Sequence, residues 1–253
     1  MPEFVLYHGW TSSASRKVRL CMAEKGLEYE GRHIELLSFE HHSDWFKKLN
    51  PSGKVPALLI DGEPFVESNI INEYLDEMYP EPSLMPADPR LRYDVRMFAL
   101  YIDGTCLPAV QKHNWMGRMR PVAMKWTDEE LEARLAAVPT EERRKVWYRM
   151  ARDPYTDEEL QTALDILIDM CDRIEDGVRS GGWIVGDTYS LADIAAVPYV
   201  RRVEELAPDA LSAAERPGVA DWWARIKARP AYAKAHIGGY DEQSDPDYRP
   251  PAV

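Results

Sequence analysis

Residues 50–71, NPSGKVPALLIDGEPFVESNII, decide how the first third of the chain folds. The apolar run 55–60 predicts a buried strand, with a proline near its start, where a missing amide donor is tolerated. Asp61-Gly62 is typical of a two-residue hairpin turn, so 64–66 predicts the antiparallel return strand. Apolar residues at helical spacing over 70–78 then predict a helix. The stretch as a whole therefore predicts two paired strands followed by a helix.

The residues that precede this stretch alternate between strand and helix patterns. Residues 4–7 predict a first strand, and the apolar spacing that follows predicts a helix ending near Gly26, a residue favoured at C-caps. The run 29–37 predicts a second strand, and 39–49 predicts a short helix. The order βαβ-α-ββα indicates an α/β domain over residues 1–80.

The rest of the chain is predicted to be helical. The proline-rich residues 81–90 are typical of a linker between domains. Residues 91–253 show no convincing strand and predict an all-α domain. Within it, the highly charged segment of about 121–155 is open to two interpretations, a solvated helical face or a mobile insertion.

Composition excludes several classes of protein. The chain has 253 residues and a formal charge of −12, whereas a general nucleic-acid binder needs an excess of Lys and Arg. It lacks an apolar run of about 18 residues, so no membrane span is predicted. Three cysteines without a CxxC pair, and six histidines without ligand spacing, predict neither a disulfide scaffold nor a metal site. We therefore expect a reduced, cytoplasmic protein.

A serine cluster follows the first predicted strand. Ser12, Ser13 and Ser15 lie where a helix begins, and free amides with a positive dipole end favour an anion there. A hydroxyl that donates to a thiolate lowers the pKa of the thiol. The alternative is that one of these serines only caps the helix.

Two further pairs suit a small peptide ligand. A cis peptide at Val55-Pro56 would turn the Val55 backbone towards a ligand that needs strand-like hydrogen bonds. Ser68 and the amides of the following helix suit a carboxylate, and Glu67 suits an ammonium group, so together they would hold an α-amino acid end. The alternative for Glu67 and Ser68 is an ordinary pair of helix N-terminal residues.

These three signals, in this order, resemble the glutathione site of the glutathione transferases. The resemblance covers nearly the full chain and is carried by residues 12–20, 50–58 and 67–71, with further matches at 189–194 and 228–232. It implies a thioredoxin-like domain, an all-helical domain, glutathione as the co-substrate and assembly into a dimer, either of identical chains or with a related subunit.

A more specific resemblance is to the bacterial lignin β-etherases of the LigF type. It is carried by residues 39–51 and by the charged segment that runs from Trp126 to Arg152. It implies that a glutathione thiolate displaces a phenol from β-aryl ethers of lignin-derived dimers. The alternatives are another transferase activity, namely conjugation, isomerisation or thiol-dependent reduction, or a weakly catalytic glutathione-binding subunit of a heterodimer.

The family resemblance also implies roles for individual residues. Ser12 and Ser15 are the two candidates for the thiol-activating hydroxyl, with Ser13 third, and Ala14 stands where the zeta class has a cysteine. Binding of glutathione is assigned to six residues: Val55 and Pro56 at its cysteinyl part, Glu67 and Ser68 at its γ-glutamyl end, and His42 and Lys54 at its glycyl carboxylate.

An aromatic second substrate needs an apolar pocket beside the thiol. By position, the candidates for that pocket are Trp10, Tyr101, His113, Trp115 and Met116. For Tyr101 and Met116, a role in the core is an equal alternative. For His42, which is assigned above to the glycyl carboxylate, the alternative is a surface position beside His41.

Overall fold

The computed structural model describes residues 2–179 and 182–238. The first part of the chain contains four strands and three helices: β1 (Phe4–His8), α1 (Ser13–Glu24), β2 (Glu30–His33), α2 (Asp44–Leu49), β3 (Ala57–Ile60), β4 (Glu63–Val66) and α3 (Ser68–Met78). The strands form one sheet in the order β2-β1-β3-β4, in which β1 is parallel to β2 and antiparallel to β3. The predicted order of strands and helices is confirmed.

The core of this part lies between the sheet and the pair α1 and α3. Leu6 of β1 stands opposite Leu58 of β3 in the register, and both are fully buried. Val18 of α1 and Leu75 of α3 are buried in the same cluster. Because β1 is paired on both sides, all five of its residues are buried, as expected for a central strand.

Two boundaries differ from the predicted ones. Strand β2 ends at His33 instead of continuing to residue 37, and the chain then turns through Phe39, which has a left-handed φ of 66°. The helix predicted over 39–49 is a 3₁₀ turn, Glu40–His42, followed by α2. The break falls at Ser43 because its side chain accepts the amide of Phe46 and so starts a new helix.

The second part of the chain is helical. Its helices are α4 (Pro89–Tyr101), α5 (Leu107–Asn114), α6 (Arg120–Ala123), α7 (Asp128–Ala137), α8 (Glu141–Arg152), α9 (Asp157–Val178), α10 (Leu191–Leu206), α11 (Pro217–Ala228) and α12 (Pro230–Lys234). Helices α4, α5 and α6 follow one another directly through two π-helical turns, Ile102–Cys106 and Trp115–Met119. Helix α10 is almost entirely buried, and a capping box between Ser190 and Asp193 begins it.

The charged insertion is a folded pair of helices, α7 and α8. Its acidic and basic residues are mostly exposed, as the solvated-face interpretation predicts. Its inner side is an apolar cluster that includes Trp126, Leu131, Trp147 and Met150, and Phe39 from the first part of the chain packs into it. The ring centroids of Phe39 and Trp147 lie 4.5 Å apart. The interpretation as a mobile insertion is therefore not supported.

The last described residues are tied to α1. The guanidinium of Arg19 is buried and donates to the carbonyl oxygens of Ala235, at 3.0 Å, and His236, at 3.3 Å. Arg16, also buried, donates to the carbonyl oxygen of Gly238 at 2.9 Å. A helix of the first part is thus completed by backbone acceptors from the far end of the chain. None of the helices in the described ranges is long and apolar enough to cross a membrane.

Candidate active site

A cavity lies where the α1 end of the sheet meets the helical part of the chain. It is bounded by six regions: the start of α1, the segment that follows β2, the loop before β3, the start of α3, the run from α4 to α6, and α8. Its lining residues include Thr11, Ser12, Ser13, Ala14, Leu36, His41, Lys54, Val55, Pro56, Glu67, Ser68, Asp103, Trp115, Arg118, Met119, Arg143 and Trp147. The structure thus gathers seven of the thirteen predicted catalytic, glutathione-binding and pocket residues, with Ser13, at one site.

The three serines have different environments. The Oγ of Ser12 accepts the amide of Ser15 at 3.2 Å and so caps α1, and Ser12 also lines the cavity. Ser13 lines the cavity beside it. Ser15 is fully buried, and its Oγ accepts the amide of Gly9 at 3.2 Å. The structure therefore places Ser15 away from the cavity, because its hydroxyl is used to hold the turn that precedes α1.

The start of α1 also receives a cation from the helical part of the chain. Arg118, in the second π-helical turn, donates to the Oγ1 of Thr11, and both residues line the cavity. The positive end of the α1 dipole, the hydroxyl groups and a guanidinium consequently face the same space. Such an arrangement stabilises an anion, such as a thiolate or an aryloxide.

The loop before β3 supplies the next part of the wall. The Val55–Pro56 peptide is cis, and both residues line the cavity together with Lys54. Val55 precedes Ala57, the first residue of β3 that pairs with β1. These residues lie at the end of the hydrogen-bond ladder between β1 and β3, in the same cavity wall as Ser12 and Ser13.

Glu67 and Ser68 form the wall at the start of α3. Glu67 has a φ of 68°, which is unfavourable for a residue with a Cβ, at a cost of about 1–3 kcal/mol. Its carboxylate accepts no capping bond from the amides of α3, all of which are described, and it lines the cavity instead. A strained acidic residue that does not cap its helix favours the ligand interpretation over that of an ordinary N-terminal pair.

Asp103 adds a second carboxylate to this wall. One of its oxygens accepts a hydrogen bond from Nζ of Lys17 at 2.7 Å, and the other accepts one from Nδ2 of Asn69 at 2.7 Å. Lys17 is completely buried, and burial lowers its pKa while the neighbouring Asp103 opposes that change. The ion pair fixes Asp103 at the cavity, in a position that nothing in the local sequence pattern indicated.

Of the two adjacent histidines, His41 lines the cavity and His42 lies behind it. Both side chains are buried, and their ring centroids are 3.8 Å apart. Burial lowers the pKa of His41 to about 2 and that of His42 to about 3, so both are neutral at physiological pH. The alternative of a surface position for His42 is wrong, and His41, not the predicted His42, is the residue of the pair that lines the cavity.

The apolar side of the cavity is aromatic. Trp115 and Trp147 line it with ring centroids 5.0 Å apart, and Leu36 and Met119 extend the apolar surface. Trp115 was predicted for this pocket, whereas Trp147 was recognised only as part of the insertion. The pocket continues directly into the wall that carries the serines.

Four other residues predicted for this pocket lie outside its wall. Trp10 packs against His8 and under the guanidinium of Arg19. Tyr101 donates its hydroxyl to Asp169 at 3.2 Å and packs against the core, in agreement with the alternative given for it. Met116 packs against the apolar cluster of the insertion. His113 is half-buried on α5, where burial lowers its pKa.

Comparison with known proteins agrees with this geometry. A model of the glutathione S-transferase N-terminal domain matches residues 2–77, and a model of the C-terminal domain matches residues 140–230. The chain therefore belongs to the glutathione S-transferase family, whose co-substrate is glutathione.

Individual relatives narrow the resemblance. Protein LigF of Sphingobium sp. (strain NBRC 103272 / SYK-6) is 36% identical over 89% of this chain and 90% of its own. The crystal structure of the β-etherase LigF from Sphingobium sp. strain SYK-6 superposes with a TM-score of 0.84 at 34% identity, over 92% of this chain and 98% of that one. A probable maleylacetoacetate isomerase of Vibrio cholerae is 32% identical over 93% of this chain and 96% of its own.

Proposed function

We propose that this protein is a glutathione-dependent β-etherase that cleaves β-aryl ether ketones derived from lignin. One observation carries the proposal: the apolar wall formed by Trp115 and Trp147 is continuous with the wall that carries Ser12, Glu67 and Ser68. A single cavity can therefore hold a peptide thiol and an aromatic ether side by side. The similarity to LigF over nearly the whole chain supports the same activity.

In the proposed reaction the thiolate of glutathione attacks the carbon that bears the aryloxy group, beside the ketone. The new carbon–sulfur bond forms as the carbon–oxygen bond breaks, and the aryloxide leaves with the bonding electrons and takes a proton from water. Ser12 or Ser13 donates to the thiolate, and Arg118 stabilises the departing oxygen. The protein contributes alignment of the two reactants, which is worth several kcal/mol.

The binding roles follow the cavity walls. Val55 and Pro56 bind the cysteinyl part of glutathione, Ser68 binds the γ-glutamyl carboxylate, and Glu67 with Asp103 binds the γ-glutamyl ammonium. Lys54 lies at the glycyl end. No metal is assigned a role, and within 2–179 and 182–238 no group of ligating side chains is suited to hold one.

Phenol release is the direct test. The protein is incubated with glutathione and each enantiomer of a β-aryl ether ketone, and the phenol and the glutathione thioether are measured. The proposal predicts that the two products form in equal amounts. In parallel, the thiolate absorbance of bound glutathione is titrated against pH. A lowered thiol pKa without phenol from either enantiomer contradicts the etherase proposal, and an unchanged thiol pKa contradicts both the etherase and any other thiolate-dependent activity.

Isomerisation is the second candidate, because the relatives include a probable maleylacetoacetate isomerase at 32% identity. Against it, Ala14 lines the cavity where the zeta class carries a cysteine. Maleylacetoacetate added to the same preparation distinguishes the two activities. Release of phenol only after addition of a related subunit would favour the heterodimer alternative. The cytoplasmic location of the protein stays a prediction.

A dimer is also proposed, through a surface that we call the α3–α4 face. Its exposed apolar residues are Ile70, Met78, Tyr93, Met97 and Leu100. The ion pairs Arg96–Glu73 and Arg92–Glu77 hold α4 beside α3, so these residues share one surface. Apolar surface of this kind is typical of a protein interface.

A further inference from the structure

Arg143, on helix α8 of the insertion, lines the cavity. Its Nη1 donates to the carbonyl oxygens of Gly53, at 2.7 Å, and Ser52, at 3.3 Å. The next residue along that loop is Lys54, which leads into Val55. Helix α8 therefore holds the loop that carries part of the proposed glutathione site.

The packing around this loop leaves little freedom. A Cβ at position 53 would lie 2.8 Å from Nδ1 of His42, 3.0 Å from the carbonyl oxygen of His41 and 3.2 Å from Cγ of Pro139. The loop is thus enclosed between the two histidines and the insertion. The guanidinium of Arg143 is consequently held in place at the cavity wall.

The described part of the chain leaves the charge of Arg143 without an acidic partner. Within residues 2–179 and 182–238, no carboxylate lies within ion-pair distance of it, and its charged or titratable neighbours His41 and His42 are neutral. Burial lowers the pKa of Arg143 to about 10, so the side chain stays protonated at neutral pH. A partly buried cation that lacks a counter-charge is unfavourable, and an anionic ligand in the cavity would remove that cost.

The other charges in the cavity indicate which anion this is. Glu67, at the start of α3, and Asp103, which accepts the side-chain amide of Asn69 in that helix, both line the cavity there, and their carboxylates suit the γ-glutamyl ammonium. Arg143, His41 and Lys54 are grouped around the loop before β3, through a separate set of contacts. Glutathione carries one carboxylate at each end, and the glycyl carboxylate is the one that remains for this second group.

We propose that Arg143 binds the glycyl carboxylate of glutathione, so that the insertion itself completes the glutathione site. The inference rests on the proposed use of glutathione. It assigns to α8 a role in peptide binding in addition to its contribution of Trp147 to the aromatic wall. Because the guanidinium offers several N–H donors, it can bind the loop carbonyls and a carboxylate together.

The test compares glutathione with its glycyl ethyl ester, in which that carboxylate is neutral. Dissociation constants are measured for the wild-type protein, Arg143→Gln and Arg143→Lys. We expect the wild type to prefer glutathione over the ester. This preference should fall by roughly tenfold or more in Arg143→Gln, the effect of losing one charge-assisted hydrogen bond, and by less in Arg143→Lys. Affinity for the ester should change little.

Arg144→Gln is the matched control, since Arg144 stands next on α8 and donates to the carbonyl oxygen of Val138 at 3.4 Å. It should leave the preference unchanged. An equal preference for glutathione over the ester in the wild type and both Arg143 variants would overturn the inference. The role of Arg143 would then be limited to its hydrogen bonds with the loop before β3. If Arg143→Gln does not fold, the inference is judged from Arg143→Lys, whose preference for glutathione over the ester should be lower than that of the wild type. Failure of wild-type protein to bind either ligand would instead contradict the proposed use of glutathione.

Discussion

At the scale of single residues, Ser12 and Ser15 differ in what their hydroxyl groups can reach. Ser12 lines the cavity while it caps α1, and Ser15 is buried against Gly9. We expect Ser12→Ala to raise the pKa of bound glutathione and to lower kcat/KM for ether cleavage by roughly 10- to 100-fold, the worth of one charge-assisted hydrogen bond. Ser15→Ala should leave the thiol pKa unchanged.

Ser12→Ala and Ser15→Ala should also differ in their effects on stability. Ser15→Ala leaves the buried amide of Gly9 without its acceptor, which should lower the free energy of unfolding by about 1–3 kcal/mol. Loss of the Ser12 cap should cost about 1 kcal/mol. Thiolate absorbance against pH and urea unfolding measure the two effects. An equal shift of the thiol pKa in both variants would contradict this division, and an effect confined to Ser13→Ala would move the activating role to Ser13.

Gly53 is a position where a side chain is not tolerated. Its φ is 58°, and an added Cβ would come too close to neighbouring atoms. Gly53→Ala should reduce stability through the left-handed conformation, by about 1–2 kcal/mol, and additionally displace His42 or the loop. We therefore expect weaker glutathione binding in this variant. Binding is measured by titration and stability by urea unfolding.

Gly26→Ala is the control for backbone conformation alone. Gly26 has a similar φ of 65°, but a Cβ there would meet no atom within 4 Å. This variant should lose about 1–2 kcal/mol of stability and retain its affinity for glutathione. Equal glutathione affinities in the two variants would show that closure of the loop around Gly53 does not shape the site.

At the scale of helices and strands, local patterns predicted the order of elements and the three motifs that meet at the cavity. Val55, Glu67 and Ser12 could be found because each stands at the start or end of an element, where chain order alone fixes its neighbours. Arg118, Asp103 and Arg143 could not, because they reach the cavity through contacts far apart in the sequence. His41 cannot be told from His42 in the sequence, because only the three-dimensional turn at Phe39 distinguishes the two positions.

The π-helical turns explain why the aromatic pocket was predicted only in part. Each turn inserts an additional residue into the helix, so the residues that follow face a different direction from those of a regular α-helix. Position along this run of helices therefore selected Tyr101, His113, Trp115 and Met116, whereas the residues of the run that line the cavity include Asp103, Trp115 and Arg118. Only Trp115 was common to both sets.

Helices α7 and α8 depend on Trp147, which is almost fully buried and contacts both Phe39 and Trp115. Trp147→Ala should lower the free energy of unfolding by about 3–5 kcal/mol because it leaves a large void in the cluster. It should also weaken binding of the aromatic substrate, measured as an increase in KM for the ether ketone.

Trp147→Phe is the informative companion variant. The indole N–H is buried, and within the described residues it has no acceptor, so its removal relieves an unsatisfied donor. We expect a smaller loss of stability than in Trp147→Ala, measured by urea unfolding, and a nearly unchanged KM. A loss equal to that of alanine would mean that the full indole ring is needed for the packing.

At the scale of the whole molecule, the α3–α4 face predicts self-association. Ile70 and Leu100 are 65% and 64% exposed, unusually high for apolar side chains on neighbouring helices. Leu100→Glu would place a charge in an apolar interface and should convert dimers to monomers, as measured by sedimentation velocity. Tyr148→Glu, at an exposed residue of α8, is the control and should leave the dimer intact. A monomeric wild-type protein would contradict this prediction.

The acceptors that the end of the chain provides for Arg16 and Arg19 have a consequence for the order of synthesis. A ribosome delivers α1 about two hundred residues before Ala235 and Gly238, the acceptors that complete it. In the nascent first domain, the two guanidinium groups lack these acceptors until residues 235–238 have left the ribosome. The sheet can form early, but α1 can reach its final environment only after α12 and the residues that follow it have left the ribosome, so α1 is completed later than the sheet on which it packs.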